Sequence, residues 1–254
     1  MSRIVYVNGN YVDEENAVVS VFDRGFLFAD GVYEVTTVMQ GALIDNDGHL
    51  KRLRRSLSEL NMPSPASDEE IIEAQLELLA RNQISEGLVY LQVTRGPADR
   101  DFSFPANPVP GLVMFTQKKN LTDPVQAKEG IRVISLPDIR WRRRDIKTVG
   151  LLAQVLAKQA AVDAGVDDAW MVEDGFVTEG SSNNAFIVDQ QGKLITRHLG
   201  NEILHGITRA SVLALVEKEN MVFEERAFTI EEAQAASEAF ITCLLYTSPS
   251  PRDS

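Results

Sequence analysis

The sequence has a single cysteine, Cys243, no apolar run that approaches membrane-spanning length, and too little positive charge to balance its acids. Lys and Arg number 25 against 37 Asp and Glu, a formal net charge of −12 over 254 residues. One cysteine excludes an intramolecular disulfide framework and a cysteine-rich metal site, so no metal is expected. The N-terminus, MSRIVYVNGNYV, goes directly into strand-like alternation with no apolar signal region. With no membrane-length run, that points to a cytoplasmic chain without a membrane partner. A surplus of acid argues against nucleic acid, because phosphate binding calls for a basic face. What is present is ordinary for a globular protein, 44% hydrophobic and 24% charged residues. The length suffices for one large domain or two modest ones, each with its own core.

Residues 4–12 place an Asn8-Gly9 turn between two alternating runs, the pattern of a β-hairpin. Residues 32–39 are rich in β-formers, and Gly41 separates them from Ala42-Leu43-Ile44, which suggests a second hairpin. Residues 49–60 turn helical, with Leu50, Leu53, Leu57 and Leu60 spaced by three and four. Ser67 and Glu70 read as a capping box for a helix to about Asn82, with Ile72, Leu76 and Leu79 on one face. Strands are expected at 88–94 and 111–116, and a polar segment with Pro124, residues 117–129, marks a domain boundary. Beyond it come a strand at 131–136 and a long helical pattern over 147–164 through Leu152, Val155, Leu156 and Ala160. Two further hairpins turn at Asp174-Gly175 and Gln191-Gly192. Helices follow at 207–219 and from Thr229, an N-cap with Glu232 three residues on, to Ala236. The expected fold class is α+β in two domains, with the cleft between them as the natural ligand site.

Four local features carry chemistry. Lys147 follows three arginines in RRRDIKTVGLL, at the expected start of a helix. An amine must lose its proton to attack an aldehyde, and cations or burial favour the neutral form; the plain alternative is a solvated lysine on a basic turn. Glu179 in TEGSSNNAF follows a hairpin strand. A carboxylate there could keep a heteroaromatic ring nitrogen protonated, with Gly180, Ser181 and Ser182 letting a flat ring approach; the alternative is a polar turn. In HGITRASVLAL, Gly206 precedes a helix whose free amides at Ile207 and Thr208 suit a phosphate, although every helix has such a start. His205 is left without a role. Arg52, in HLKRL, is expected to face away from the leucine stripe, either paired with a phosphate or simply solvated.

Taken in order, FDRGFLFADGVYEV, the Arg52 helix, DIKTVGLL, EGSSNNAF and HGITR resemble the class IV, or fold-type IV, pyridoxal-phosphate aminotransferases. That family includes the D-amino acid and branched-chain aminotransferases and aminodeoxychorismate lyase, and the similarity runs from residue 1 to about 242. It implies a small N-terminal α/β domain (1–118), a linker (119–129) and a larger C-terminal domain (130–254) that binds pyridoxal 5'-phosphate, paired as a homodimer. It implies Lys147 as the Schiff-base lysine, which also moves the proton between Cα and the cofactor's C4′. It further implies Glu179 at the pyridine nitrogen, Arg52 with the Ile207 and Thr208 amides around the phosphate, and Tyr33 and Glu34 on the strand beside the cofactor. TRGPADRDFSFP looks like the D-amino acid aminotransferase loop, in which Arg100 matches an arginine that binds the substrate carboxylate. Phe102 stands where the family's best-known form has a histidine.

The implied reaction is a ping-pong transfer from a D-amino acid such as D-alanine to a 2-oxo acid such as 2-oxoglutarate. A branched-chain aminotransferase or the lyase is the alternative within the family. The tail CLLYTSPSPRDS, residues 243–254, reads as a truncated or non-native terminus. It motivates the remaining alternative, a catalytically inactive fragment that only binds.

Overall fold

The structure, a computed structural model, describes residues 2–121 and 129–243, and the backbone of 247–249. Most of the expected linker, including Pro124, and most of the tail lie outside the described residues. The chain divides into two compact units. The first is Met1–Leu121 with Ile146–Gly150; the second is Thr122–Asp145 with Leu151–Ser254. Lys147 therefore belongs by its contacts to the first unit, although the sequence places it within 130–254.

The first unit is a six-stranded sheet in the order β2-β1-β6-β5-β3-β4, every neighbouring pair antiparallel. The strands are β1 (Ile4–Val7), β2 (Asn10–Asp13), β3 (Gly31–Met39), β4 (Ala42–Leu43), β5 (Glu86–Thr94) and β6 (Gly111–Lys118). Asn8 and Gly9 turn the first hairpin at φ of 48° and 90°, and Val7 pairs with Asn10. Two positive φ values match the twist of the flanking strands. The helices are α1 (Arg24–Phe28), α2 (Asn46–Glu59) and α3 (Asp68–Asn82). Leu50, Leu53 and Leu57 of α2 and Ile71, Ala74 and Leu78 of α3 join Val32, Leu91, Val93, Leu112 and Met114 of the sheet in one core.

The capping box of α3 forms as expected between Ser67 and Glu70. Its buried face differs from the expected one: Ile71, Ala74, Gln75, Leu78 and Leu79 are inside, whereas Leu76 is exposed. A polar residue breaks the apolar stripe on the true face, and Gln75 is satisfied there by the Asn46 amide at 2.9 Å.

The second unit begins with β7 (Val133–Pro137), α4 (Leu152–Asp163), β8 (Asp168–Glu173) and β9 (Phe176–Gly180). β7 and β8 are parallel, β8 and β9 antiparallel through the Asp174-Gly175 turn. β10 (Asn184–Val188), β11 (Leu194–Thr196), β12 (Phe223–Glu225), β13 (Glu238–Thr242) and β14 (Thr247–Pro249) form a second sheet, ordered β12-β11-β10-β13-β14. α5 (Ile207–Lys218) and α6 (Ile230–Ala235) complete the unit, α6 with the Thr229–Glu232 capping box. Its main core holds Ile131, Trp170, Val177, Ala185, Ile187, Ile195, Phe228 and Ile241.

α4 departs from expectation twice. It starts at Leu152, five residues past Lys147, so that lysine is not on a helix. The stripe of Leu152, Val155 and Leu156 is exposed, and small residues, Ala157 and Ala161, form the buried face against Ala169 and Met171. Small side chains bring the helix close to the strands and leave the large apolar ones pointing away. Among the described residues, no helix is long and apolar enough to cross a membrane.

Candidate active site

In the first unit, β4 pairs only with Val38 and Met39, and residues 146–149 run beside the other end of β3. Thr148 bridges Val32, the Tyr33 amide donates to the Lys147 carbonyl at 2.9 Å, and the Val149 amide donates to the Gly31 carbonyl at 3.1 Å. Ile146 anchors this strip in the core. Lys147 is thereby held extended and half-buried, its Nζ 4.2 Å from the centroid of the Tyr33 ring. Tyr33 stacks on Tyr90 at 5.6 Å, and Tyr90 on Phe115 at 4.7 Å. Burial and the neighbouring Tyr33 push the Tyr90 phenol up to about 12.

Alternation along β3 turns Glu34 to the opposite face from Tyr33, toward α2. There Arg52 gives its Nε to Oε1 at 2.8 Å and its Nη2 to Oε2 at 2.7 Å. His49, one helical turn earlier, meets Oε2 through Nδ1 at 2.8 Å, and its buried Nε2 has no protein partner. Burial opposes ionisation of Glu34, but the Arg52 hydrogen bonds and charge, the His49 bond and the Lys147 charge prevail and lower it to about 2. Arg52 is thus buried and paired with a carboxylate, not turned to solvent as the leucine spacing suggested. Arg100 is exposed, its guanidinium 5.3 Å from the Phe28 ring and 5.6 Å from the Phe102 ring.

In the second unit, Glu179 lies within β9 rather than after it, and is fully engaged. One carboxylate oxygen takes the Arg140 guanidinium; the other accepts from the Asn184 amide at 2.9 Å and the Leu204 backbone amide at 3.0 Å. Arg140 is itself gripped by Asp138 at 2.6 and 3.0 Å. Burial raises Glu179 above the usual carboxylate range, with Arg140 pulling the other way. The turn after it is fixed by buried Asp168, which accepts from Ser181 at 2.5 Å and Asn183 at 2.6 Å. α5 starts at Ile207 with Gly206 as N-cap and no side-chain cap, so the first amides, including those of Ile207 and Thr208, are uncapped by side chains. A Cβ on Gly206 would come 2.1 Å from the Asn184 amide oxygen, so a larger residue here would have to displace the side chain that donates to Glu179.

Two of the three arginines before Lys147 are matched to acids. Arg143 pairs with Asp145, and Arg144 binds both oxygens of Glu173 at 2.8 and 2.9 Å.

Residues 31–243 match the amino-transferase class IV family. The chain belongs to it. Among curated relatives, the D-alanine aminotransferase of Staphylococcus epidermidis is 38% identical over 94% of this chain and 84% of its own. That of Bacillus licheniformis is 37% identical over 94% and 83%. Among solved structures, the branched-chain aminotransferase of Thermoproteus uzoniensis with norvaline is 28% identical, with a TM-score of 0.85 over 98% of this chain and 86% of its own.

Sequence reasoning missed Arg140, Asn184, Asp138 and the His49–Glu34 contact. The i, i+3 spacing of His49 and Arg52 was visible and places both on one helix face. Nothing local announced Arg140 or Asn184, whose roles exist only once β9, β10 and the 138–140 turn have assembled.

Proposed function

We propose that this class IV aminotransferase carries pyridoxal 5'-phosphate on Lys147 and moves the amino group of a D-amino acid to a 2-oxo acid by a ping-pong route. The observation that carries the reading is the placement of Lys147. Its strip is pinned along β3, and its amine lies over Tyr33 with the Glu34 carboxylate close enough to feel its charge. Identity of 38% to a D-alanine aminotransferase over nearly the whole chain supports the substrate class. Arg100 on the 94–105 segment supports it as well.

The residues present fit the cofactor. They offer a primary amine against an aromatic face, a buried carboxylate raised by its surroundings, and a helix start without a side-chain cap. When bound, pyridoxal phosphate supplies a conjugated ring that accepts the electrons released at the substrate Cα. Lys147 is assigned to hold it and to move the proton at Cα. Tyr33 presents its ring as a wall beside that amine. Glu179, whose ionisation burial disfavours, shares a proton with the ring nitrogen. The Ile207 and Thr208 amides receive the phosphate at the positive end of α5, and Arg52 is the proposed further ligand. Arg100 takes the substrate carboxylate in the two-pronged manner of guanidinium.

Branched-chain L-amino acids are the second reading, favoured by Phe102, an apolar residue where a histidine is expected. A homodimer in the cytoplasm is the assembly and location we propose. The exposed Leu152, Val155 and Leu156 of α4 and Val18, Val21, Phe22 and Phe26 near the N-terminus support the dimer as apolar side chains that an interface could cover.

The test is to load the protein with pyridoxal phosphate, remove the excess and record the visible absorption, with Lys147→Ala alongside. A band in the parent that the variant lacks, bleached by D-alanine alone and restored by 2-oxoglutarate, supports the full reading. Bleaching by L-leucine but not D-alanine moves the assignment to the branched-chain class. Folded protein without a band leaves the inactive-fragment reading.

A further inference from the structure

Residues 100–104 have no helix or strand, and all five are exposed. A segment of this kind has many conformations available, and holding its residues in one of them costs backbone entropy. Two buried arginines oppose that freedom. Arg24, the first residue of α1, reaches the loop with Nη1, which donates to the Asp101 carbonyl at 2.6 Å and the Ser103 carbonyl at 3.3 Å. Those two carbonyls flank Phe102. The Nε of Arg24 is held by Asp30 at 2.8 Å, so its guanidinium is fixed at both ends.

Asp30 also takes the Nε of Arg95 at 2.8 Å on the same oxygen. Arg95 in turn donates to the Leu60 and Asn61 carbonyls just past α2, at 2.9 and 3.1 Å, and lies 3.6 Å from the Phe104 ring centroid. The chain from loop to helix is therefore Asp101/Ser103, Arg24, Asp30, Arg95 and the end of α2. Phe28, at the other end of α1, touches both Arg24 at 4.7 Å and Arg100 at 5.3 Å, and packs on Phe102 at 5.5 Å. Arg24 thus restrains the loop beside Arg100 through its backbone and through an aromatic ring that both arginines share.

We propose that Arg24 is a positioning residue for substrate recognition: by clamping the Asp101 and Ser103 carbonyls it holds Arg100 in the orientation that receives the substrate carboxylate. The inference rests on the reading of Arg100 as the carboxylate ligand. Arg24 does not touch substrate; it removes the cost of ordering the loop at the moment of binding. Both substrates of the transfer carry a carboxylate, so both Michaelis constants depend on it while the proton transfer at Lys147 does not.

Arg24→Lys keeps a cation beside Asp30 and removes the forked donor to the loop. Asp101→Ala loosens the loop from its exposed side, because Asp101 Oδ1 holds the Ser103 amide and hydroxyl at 2.9 and 2.8 Å. Both are measured as holoenzymes, with Tm and the visible band as checks and Arg100→Ala as the reference. The expected result is a rise of about tenfold in KM for amino acid and 2-oxo acid in Arg24→Lys, and about threefold in Asp101→Ala. The same measurement should show kcat within about twofold of the parent and Kd for a non-reacting short carboxylate, acetate, weakened in step. Unchanged KM in both variants, with KM raised in Arg100→Ala, overturns the positioning role alone. Unchanged KM in Arg100→Ala overturns the carboxylate reading and the inference with it. If Arg24→Lys loses its band or its cooperative melting, Asp101→Ala decides by the same split.

Discussion

Glu34 and Arg52 form a two-pronged ion pair between β3 and α2, with His49 on the same carboxylate. Unfolded, a glutamate takes up its proton near 4.5; here the group is lowered to about 2. As pH falls between those values the unfolded chain binds the proton first, so stability is lost on acidification. The contribution is complete above about 4.5, is worth about 3 kcal/mol and disappears as pH approaches 2. Thermal melts from pH 7 to pH 3 should show the parent losing stability that Glu34→Gln has already lost. Parallel curves for the two proteins would refute it.

Arg140 stands between Asp138 and Glu179, with all three side chains buried. Removing the cation takes the ion-pair partner from Glu179, while Asp138 keeps the more distant Arg144 at 3.5 Å. Arg140→Gln is expected to cost about 3–5 kcal/mol, the usual result of breaking a buried pair from one side. Denaturant unfolding measures the loss, and titration of the protein with pyridoxal phosphate should show weaker binding. Undiminished affinity and stability would remove Arg140 from any role at Glu179.

The capping boxes at Ser67–Glu70 and Thr229–Glu232 each satisfy two backbone amides. Thr229→Ala should cost about 1 kcal/mol, and Ser67→Ala a similar amount. The two sites share no partner, so the double variant should lose the sum, within about 0.5 kcal/mol, by urea melts.

Gly96 follows β5 at a φ of 87°, and a Cβ there would meet the Val109 carbonyl oxygen at 1.9 Å. Gly96→Ala must therefore move backbone and strain it, at a cost of about 1–3 kcal/mol for the conformation alone. The Gly96 carbonyl accepts from the Arg24 amide, so the loss of Tm should come with a raised KM for the amino acid. Gly41→Ala, where nothing lies within 4 Å, is the control: it bears only the strain of its own positive φ.

What the sequence disclosed was local. The Asn8-Gly9 and Asp174-Gly175 turns and both capping boxes lie within a few residues, so their partners could be read directly. α3 shows the limit: Ile72, Leu76 and Leu79 have helical spacing, yet the buried face is the one carrying Gln75. The Asn46 amide makes that polar position tolerable, and it is 29 residues away in sequence. The Leu152 stripe had the right period too, but the sheet received the alanines. At the site, residue types were legible and their partners were not. Arg52 was recognisable as a forked donor, whereas its pairing with Glu34 depends on β3 and α2 meeting. The arginine run before Lys147 suggested a cationic setting, and Arg143 and Arg144 instead meet acids of their own.

Residues 146–150 are counted with one unit while the chain on both sides of them is counted with the other. The polypeptide therefore changes allegiance at 121/122, at 145/146 and again at 150/151. A gene cut at the first of these junctions would give an N-terminal fragment whose β3 lacks its Lys147 neighbour. The companion fragment would own the lysine and have nothing to seat it. The amine proposed to carry the cofactor is thus an heirloom held in common: one unit seats it, and the chain that delivers it on both sides is counted with the other.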